Sequence, residues 1–239
     1  MFSDRTEFRL SKRLLLGGGG LIVLGSLQNK QLSTRQNSII WGNILGDGHL
    51  QLSPNQKTTR LRFDHSAKQQ DYVKWQFEQL GWLCEHVSPP KIVPEREYLK
   101  CRAYTHYREE LTPYHELTYK PTTLPKRKFV KIIPENLSEH LKEPEALMIW
   151  YLDDGTLRLD GGACRLATQS FTLEEHEILQ DCLKQNFNVT SVIEKWPKGK
   201  SGLYVPSRGG HAANFVNLFS KIVVEEIPSM SYKVNLYTK

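Results

Sequence analysis

Cysteine is scarce: the 239 residues hold four, Cys84, Cys101, Cys164 and Cys182, and none forms a CxxC pair. Thiols this dispersed build neither a disulfide framework nor a zinc site, so reduced, structural cysteines are expected. No apolar run reaches the roughly 18–20 residues needed to cross a bilayer, and no membrane partner is expected. No Gly-rich phosphate loop and no nucleophile motif is present, which argues against a small-molecule enzyme. The eight histidines do not fall at metal-ligand spacings, and Cys84-x-His86 reads as a loop or core pair. A nuclease of the PD-(D/E)xK type also lacks support. No strand carries Pro-Asp, and Glu194-Lys195 has no intervening residue.

What is present is an ordinary globular composition, 39% hydrophobic and 24% charged, with a net charge of +6. The length suits one large domain or two of about 100 residues. The mild positive surplus permits nucleic acid or an anionic surface as partner and proves neither. Residues 1–35 stand apart as an N-terminal extension of unknown role. Arg5, Arg9, Lys12 and Arg13 precede the segment LLLGGGGLIVLGSL, a basic start before a short apolar stretch that resembles a secretion signal or organelle presequence. Four glycines interrupt it and no A-x-A site follows, so the extension stays unassigned.

The remainder repeats itself. Residues 37–50 read NSIIWGNILGDGHL and residues 144–157 read PEALMIWYLDDGTL. Each begins with a helix-start signal, Asn37/Ser38 or Pro144, and each ends in Asp-Gly. Two alternating segments then follow in each half, HLQLS and TTRLRFDH in the first, TLRLD and CRLATQS in the second, with a turn between them as in a β-hairpin. Ser66-x-x-Gln69 and Thr172-x-x-Glu175 have the form of capping boxes opening a second helix. Val73, Phe77 and Leu80 stripe one of these helices, and Ile178, Leu179, Cys182 and Leu183 the other, with Gly81 as a stop for the first. A second hairpin is expected in each half, at 98–105 and at 189–205, and then a helix, near 113–119 and near 212–221. The predicted fold is α+β, two pseudo-symmetric αββαββα repeats with antiparallel sheets, over 36–142 and 143–239. The polar stretch 135–143 is the linker between them.

A lone Asp-Gly is a turn dipeptide. Two of them, ending matched apolar helices 107 residues apart, ask for more. If the helices pack side by side, Asp47 and Asp154 meet where the helix C-termini already concentrate negative charge. Two carboxylates there repel each other unless a cation sits between them, and oxygen donors suit magnesium or calcium. Gly42 and Gly46 would let another helix approach closely. The polar strand faces supply a substrate side: His49, Gln51 and Ser53 oppose Leu50 and Leu52, and Arg60, Arg62 and Asp64 oppose Leu61 and Phe63. In the second half Thr156, Arg158 and Asp160 oppose Leu157 and Leu159. Such a face can lie in a DNA major groove. The run PKRK at 125–128 is a phosphate contact, a targeting signal or a solvated loop. Trp75, Phe77 and Trp82 sit at helical spacing and are read as core.

GNILGDG and WYLDDG, together with TQSFTLEE at 168–175, KIIP at 131–134 and IPSMSYK at 227–233, resemble the signatures of single-chain LAGLIDADG homing endonucleases, in particular the organelle intron-encoded branch. The resemblance spans about residues 36–239. It implies a monomeric, site-specific double-strand DNA endonuclease whose sheets form a DNA-binding saddle. It further implies magnesium as cofactor, with manganese able to substitute. Asp47 and Asp154 would be ligands through their carboxylates, and Gly46 and Asp153 through their backbone carbonyls. Asp153 competes with Asp154 for the ligand role, and Asp154 is preferred because it holds the place of Asp47 before the glycine. The family also implies a lysine near the site in each half, here Lys131 and Lys233, which lie 84 residues after Asp47 and 79 after Asp154. Candidate groove contacts are His49, Gln51, Arg60, Arg62, Lys100, Arg102, Arg158, Arg165 and Gln169. The second motif has Ile149 where the family often has Gly, and Asp153 where it has a small residue, so asymmetric helix packing is expected. The alternative implied by the same fold is an intron RNA-binding splicing factor, a maturase. An organelle or a bacterial cytoplasm is the expected location.

Overall fold

The computed structural model describes residues 30–235 except 126 and 159–161, with Lys198 described by its backbone alone. The leader-like segment, Leu159, Asp160 and the central Lys126 of PKRK therefore lie outside the described residues. The first helix, α1, runs Thr34–Leu45. It starts a turn earlier than Asn37/Ser38 suggested, because Ser33 and Gln36 complete a capping box. The chain then forms β1 (His49–Leu52), β2 (Thr59–Ser66), α2 (Gln70–Leu80), β3 (Lys91–Glu95) and β4 (Tyr98–Tyr104). The strands make an antiparallel sheet of order β1-β2-β4-β3. Ser66 caps a short 3₁₀ turn through the Lys68 amide rather than a box with Gln69. Gly81, at φ 52°, ends α2. Next come α3 (Thr112–Thr118), a small hairpin of β5 (Tyr119–Pro121) and β6 (Phe129–Lys131), and a single turn, α4 (Leu137–His140).

The second half opens with α5 (Pro144–Asp154), Pro144 standing in its first turn. It continues through β7 (Gly155–Leu157), β8 (Cys164–Leu166), α6 (Leu173–Phe187), β9 (Val192–Trp196) and β10 (Lys200–Val205). The sheet order, β7-β8-β10-β9, matches the first. The Thr172–Glu175 capping box is present. The last predicted helix is two, α7 (His211–Asn217) and α8 (Ser220–Glu226), bent at Phe219 so that Phe215 and Phe219 both reach Tyr151.

α1 and α5 pack against each other at the centre. Residues 146–152 of α5 are buried without exception, as are Ile39, Ile40, Trp41, Ile44 and Leu45 of α1. A helix apolar all round belongs in a core, and each such side chain contributes about 1.5–3 kcal/mol. Both halves share one continuous core. Even the stretch 135–143 joins it: Leu137 and Leu141 are buried and His140 stacks on Trp41 with centroids 5.0 Å apart. The four cysteines are free and buried. No described helix is long and apolar enough to cross a membrane.

Candidate active site

Asp47 and Asp154 sit where α1 and α5 end. The Gly46 amide closes α1 by donating to the Gly42 carbonyl (2.9 Å), and Asp47 follows it. Asp154 is the last residue of α5. Close helix approach is built from unlike pairs. A Cβ on Gly42 would overlap the Cβ of Ile149 and lie 2.7 Å from the Ala146 carbonyl oxygen. A Cβ on Gly46 would overlap the Asp153 carboxylate. The asymmetry that Ile149 and Asp153 foretold is therefore complementary.

The electrostatics at these ends are those of an unbalanced acidic pair. Asp154 is pushed up to about 8 by burial, then by the charges of Asp47 and Asp153, against the pull of Lys131 and Lys233. Asp47 reaches solvent on one side, yet the protein crowding its other side raises its pKa, as does Asp153. Lys131 and Lys233 reach the turns from β6 and from the last 3₁₀ turn. The Lys131 ammonium donates to the carbonyls of Gly46 (2.9 Å) and Gly48 (3.0 Å), bracketing Asp47. The Lys233 ammonium donates to Leu152 (2.6 Å) and Gly155 (3.1 Å), bracketing Asp154. Burial pulls Lys131 down to about 8 and lowers Lys233 too, while the nearby carboxylates resist.

The donor set is oxygen only. Two carboxylates whose charge is opposed by burial and by each other fit a hard divalent cation, with the Gly46 and Asp153 carbonyls beside them. Gly46 keeps a second lone pair beyond its bond from Lys131. Asp153 is half-buried overall but its side chain is 0% exposed, so what it shows to solvent is backbone. Among the described residues no three His, Cys, Asp or Glu side chains form a metal cage. Magnesium commonly takes one or two carboxylates and completes its shell with water and phosphate oxygens.

The first sheet gathers His49, Gln51, Arg60, Arg62, Lys100 and Arg102 on its polar face, as alternation required. Arg60 lies over the rings of Tyr104 (4.3 Å) and Tyr107 (4.8 Å) and donates to Gln51 (3.0 Å). Asp64 accepts from Arg62 (2.7 Å), Lys100 (3.0 Å) and Arg102 (2.9 Å), and Glu95 also bonds Arg102. His49 is lowered to about 4 by burial and then by Lys131 and Arg62, so at neutral pH it is an uncharged partner. It adjoins a groove of about 780 Å³ that also borders Tyr119, Arg127, Lys128 and Lys131. On the second sheet Arg165 pairs with Glu194. Arg158 follows the end of β7, and Gln169 lies exposed in a turn off the strands. Sequence reasoning missed Tyr72 and His65, both buried against Asp153. His65 had a signal, since it continues the inward alternation of Leu61 and Phe63.

Residues 37–212 match the LAGLIDADG DNA endonuclease family. DNA endonuclease I-ChuI of Chlamydomonas applanata is 27% identical over 216 residues, which cover 85% of this chain and 96% of that protein. Cytochrome b mRNA maturase bI2 of Saccharomyces cerevisiae is 29% identical over 84% of this chain, which spans 47% of that longer protein. Among solved structures, the homing endonuclease I-WcaI bound to its DNA recognition sequence superposes with a TM-score of 0.68 at 25% identity, covering 90% of this chain and 96% of that one. With the family match spanning both acidic helix ends, the chain belongs to the LAGLIDADG DNA endonuclease family.

Proposed function

We propose that this protein is a monomeric homing endonuclease that hydrolyses one phosphodiester in each strand of a long DNA target. It uses magnesium, or manganese in its place, held by Asp47 and Asp154. The observation that carries this is the pair of carboxylates at the adjoining ends of α1 and α5, both raised in pKa, in the same body as two polar, arginine-bearing sheet faces. The divalent ion supplies activation of a water and charge stabilisation at phosphate. The protein's own residues do the rest. Arg60, Arg62, Lys100, Arg102, Arg158, Arg165, His49, Gln51 and Gln169 bind and register the duplex. Arg suits guanine and Gln suits adenine among the base edges. Lys131 and Lys233 fix the backbone on either side of each acid and hold positive charge beside the position where phosphate charge develops.

The test is cleavage of a DNA library with magnesium by the wild type, Asp47→Asn and Asp154→Asn. Metal-dependent double-strand breaks at one site, abolished by chelator and by both substitutions, are expected. Breaks that survive both substitutions would place the active site elsewhere. The maturase relative favours a second reading, intron RNA binding without cleavage. That reading replaces the first if no library member is cut while a structured intron RNA binds tightly and with steep salt dependence.

A further inference from the structure

We propose that Asp153, held by Tyr72 and His65, is a positioning residue for Asp47, so that one half of the enzyme sets the geometry of the other half's acid. This rests on the two-strand endonuclease reading. Asp153 and Gly46 occupy equivalent places, each immediately before its acid. The Asp153 carboxylate crosses into the space that a Gly46 side chain would fill and accepts the Asp47 backbone N–H at 3.1 Å. Gly46 has no side chain with which to return the contact, so Asp154 lacks the matching support. The other Asp153 oxygen accepts the Tyr72 hydroxyl at 2.8 Å. The His65 Nε2 lies 3.2 Å from that same oxygen, at ion-pair distance but not aligned as a hydrogen bond. A carboxylate with no exposed surface is costly unless it is partnered, and these partners come from β2, α2 and the turn after α1, all in the first half. Asp153 is thus a strut whose side chain is spent on orientation. The ion-facing group at this position is its backbone.

The consequence is a strand bias. Loosening the strut should disturb the Asp47 side of the site more than the Asp154 side. The full-length protein is tested as Asp153→Ala, Asp153→Asn and Tyr72→Phe, the last removing a single hydroxyl and serving if Asp153→Ala does not fold. The first readout is the ratio of nicked to linear product from a supercoiled target plasmid, with the nicked strand identified. The second is a calcium titration of the DNA-free protein by calorimetry. Tyr72→Phe and Asp153→Ala should accumulate nicked plasmid, all in one strand, with the nicked-to-linear ratio up about tenfold, an effect of about 1.4 kcal/mol. Calcium affinity should fall several-fold. Asp153→Asn keeps an acceptor for the Asp47 amide and should restore most of the balance. Equal slowing of both strands, or wild-type balance and calcium affinity in Asp153→Ala, would reduce the cluster to a folding element. If the wild type cuts nothing, the endonuclease reading fails, and calcium affinity alone decides the strut, with Asp47→Asn as its reference.

Discussion

α1 and α5 carry counterpart residues at equal distances from their acids, and the counterparts meet. Gly42 and Ile149 each stand five residues before an acid; Gly46 and Asp153 each stand one before. In both pairs a gap in α1 receives a side chain of α5. A symmetric dimer of identical chains would set like against like at the axis, Gly on Gly or Ile on Ile. Two repeats on one chain can divide the roles, one helix taking the small residues and the other the large. The sheets differ in the same sense. The first has longer inner strands and an Asp64-centred network; the second has three-residue strands β7 and β8 and an Arg165–Glu194 pair.

The division of roles between α1 and α5 is most sensitive at Gly42. Gly42→Ala forces a methyl onto Ile149 and onto the Ala146 carbonyl, a backbone atom that cannot swing away. Overpacking of this kind costs about 1–3 kcal/mol, and the rigid neighbours put this site at about 3. Urea denaturation should show it. Ile149→Gly opens a cavity when made alone, but in the double variant it admits the new methyl. The pair should therefore be less destabilised than the summed singles by about 1 kcal/mol. Strict additivity would mean that the two positions do not share the contact.

The next largest effect distinguishes the two sheets. Burial would raise Asp64, but its bonds from Arg62, Lys100 and Arg102 win and hold it at about 2. A carboxylate depressed in the folded state stabilises fully above its unfolded pKa, near 3.8, and that stabilisation is lost as pH falls from there to about 2. The difference corresponds to about 2 kcal/mol. Asp64→Asn should lower Tm at pH 7 and flatten the fall in Tm between about pH 4 and 2. It should also strengthen binding to unrelated DNA at low salt, because it frees positive charge on the sheet. Glu194→Gln, which breaks an ion pair with side chains 37% and 29% exposed, should shift stability by less than about 1 kcal/mol.

Local signals explain what could be read from the chain. The hairpins follow from alternation, α6 from its capping box, the end of α2 from Gly81, and the two acids from their repetition; the two lysines came only with the family resemblance. What escaped reading depends on neighbours distant in sequence. The strands of a sheet reveal which residues share a face, but only the β2–β4 register shows Arg102 beside Asp64. Arg62, Lys100 and Arg102, which read as groove contacts, are thus bound to Asp64, as Arg165 is to Glu194. Asp153 looked like a rival ligand because it stands beside Asp154, the proposed one; its side chain turns toward Gly46, which leaves room for it. The stretch 135–143 looked like a solvated linker because most of it is polar, and its two leucines gave no period to read.

Modest effects are expected at the segments that carry the lysines, both of which are tied by the second half. The Ile133 amide, two residues past Lys131, donates to Glu175 Oε1 at 3.0 Å, while Glu175 Oε2 completes the capping box of α6. The Tyr151 hydroxyl donates to the Lys233 carbonyl at 2.9 Å. Glu175→Ala loses a cap and a cross-half bond and should cost about 1–2 kcal/mol. Tyr151→Phe loses one hydrogen bond inside a well-packed aromatic cluster and should cost about 1 kcal/mol. In a plasmid assay Glu175→Ala should slow the strand served by Lys131 and Asp47, and Tyr151→Phe the strand served by Lys233 and Asp154. That assignment of strands would mean that each lysine serves the acid of its own half, although the second half supports both. The exchanged assignment would mean that each lysine acts across the helix pair.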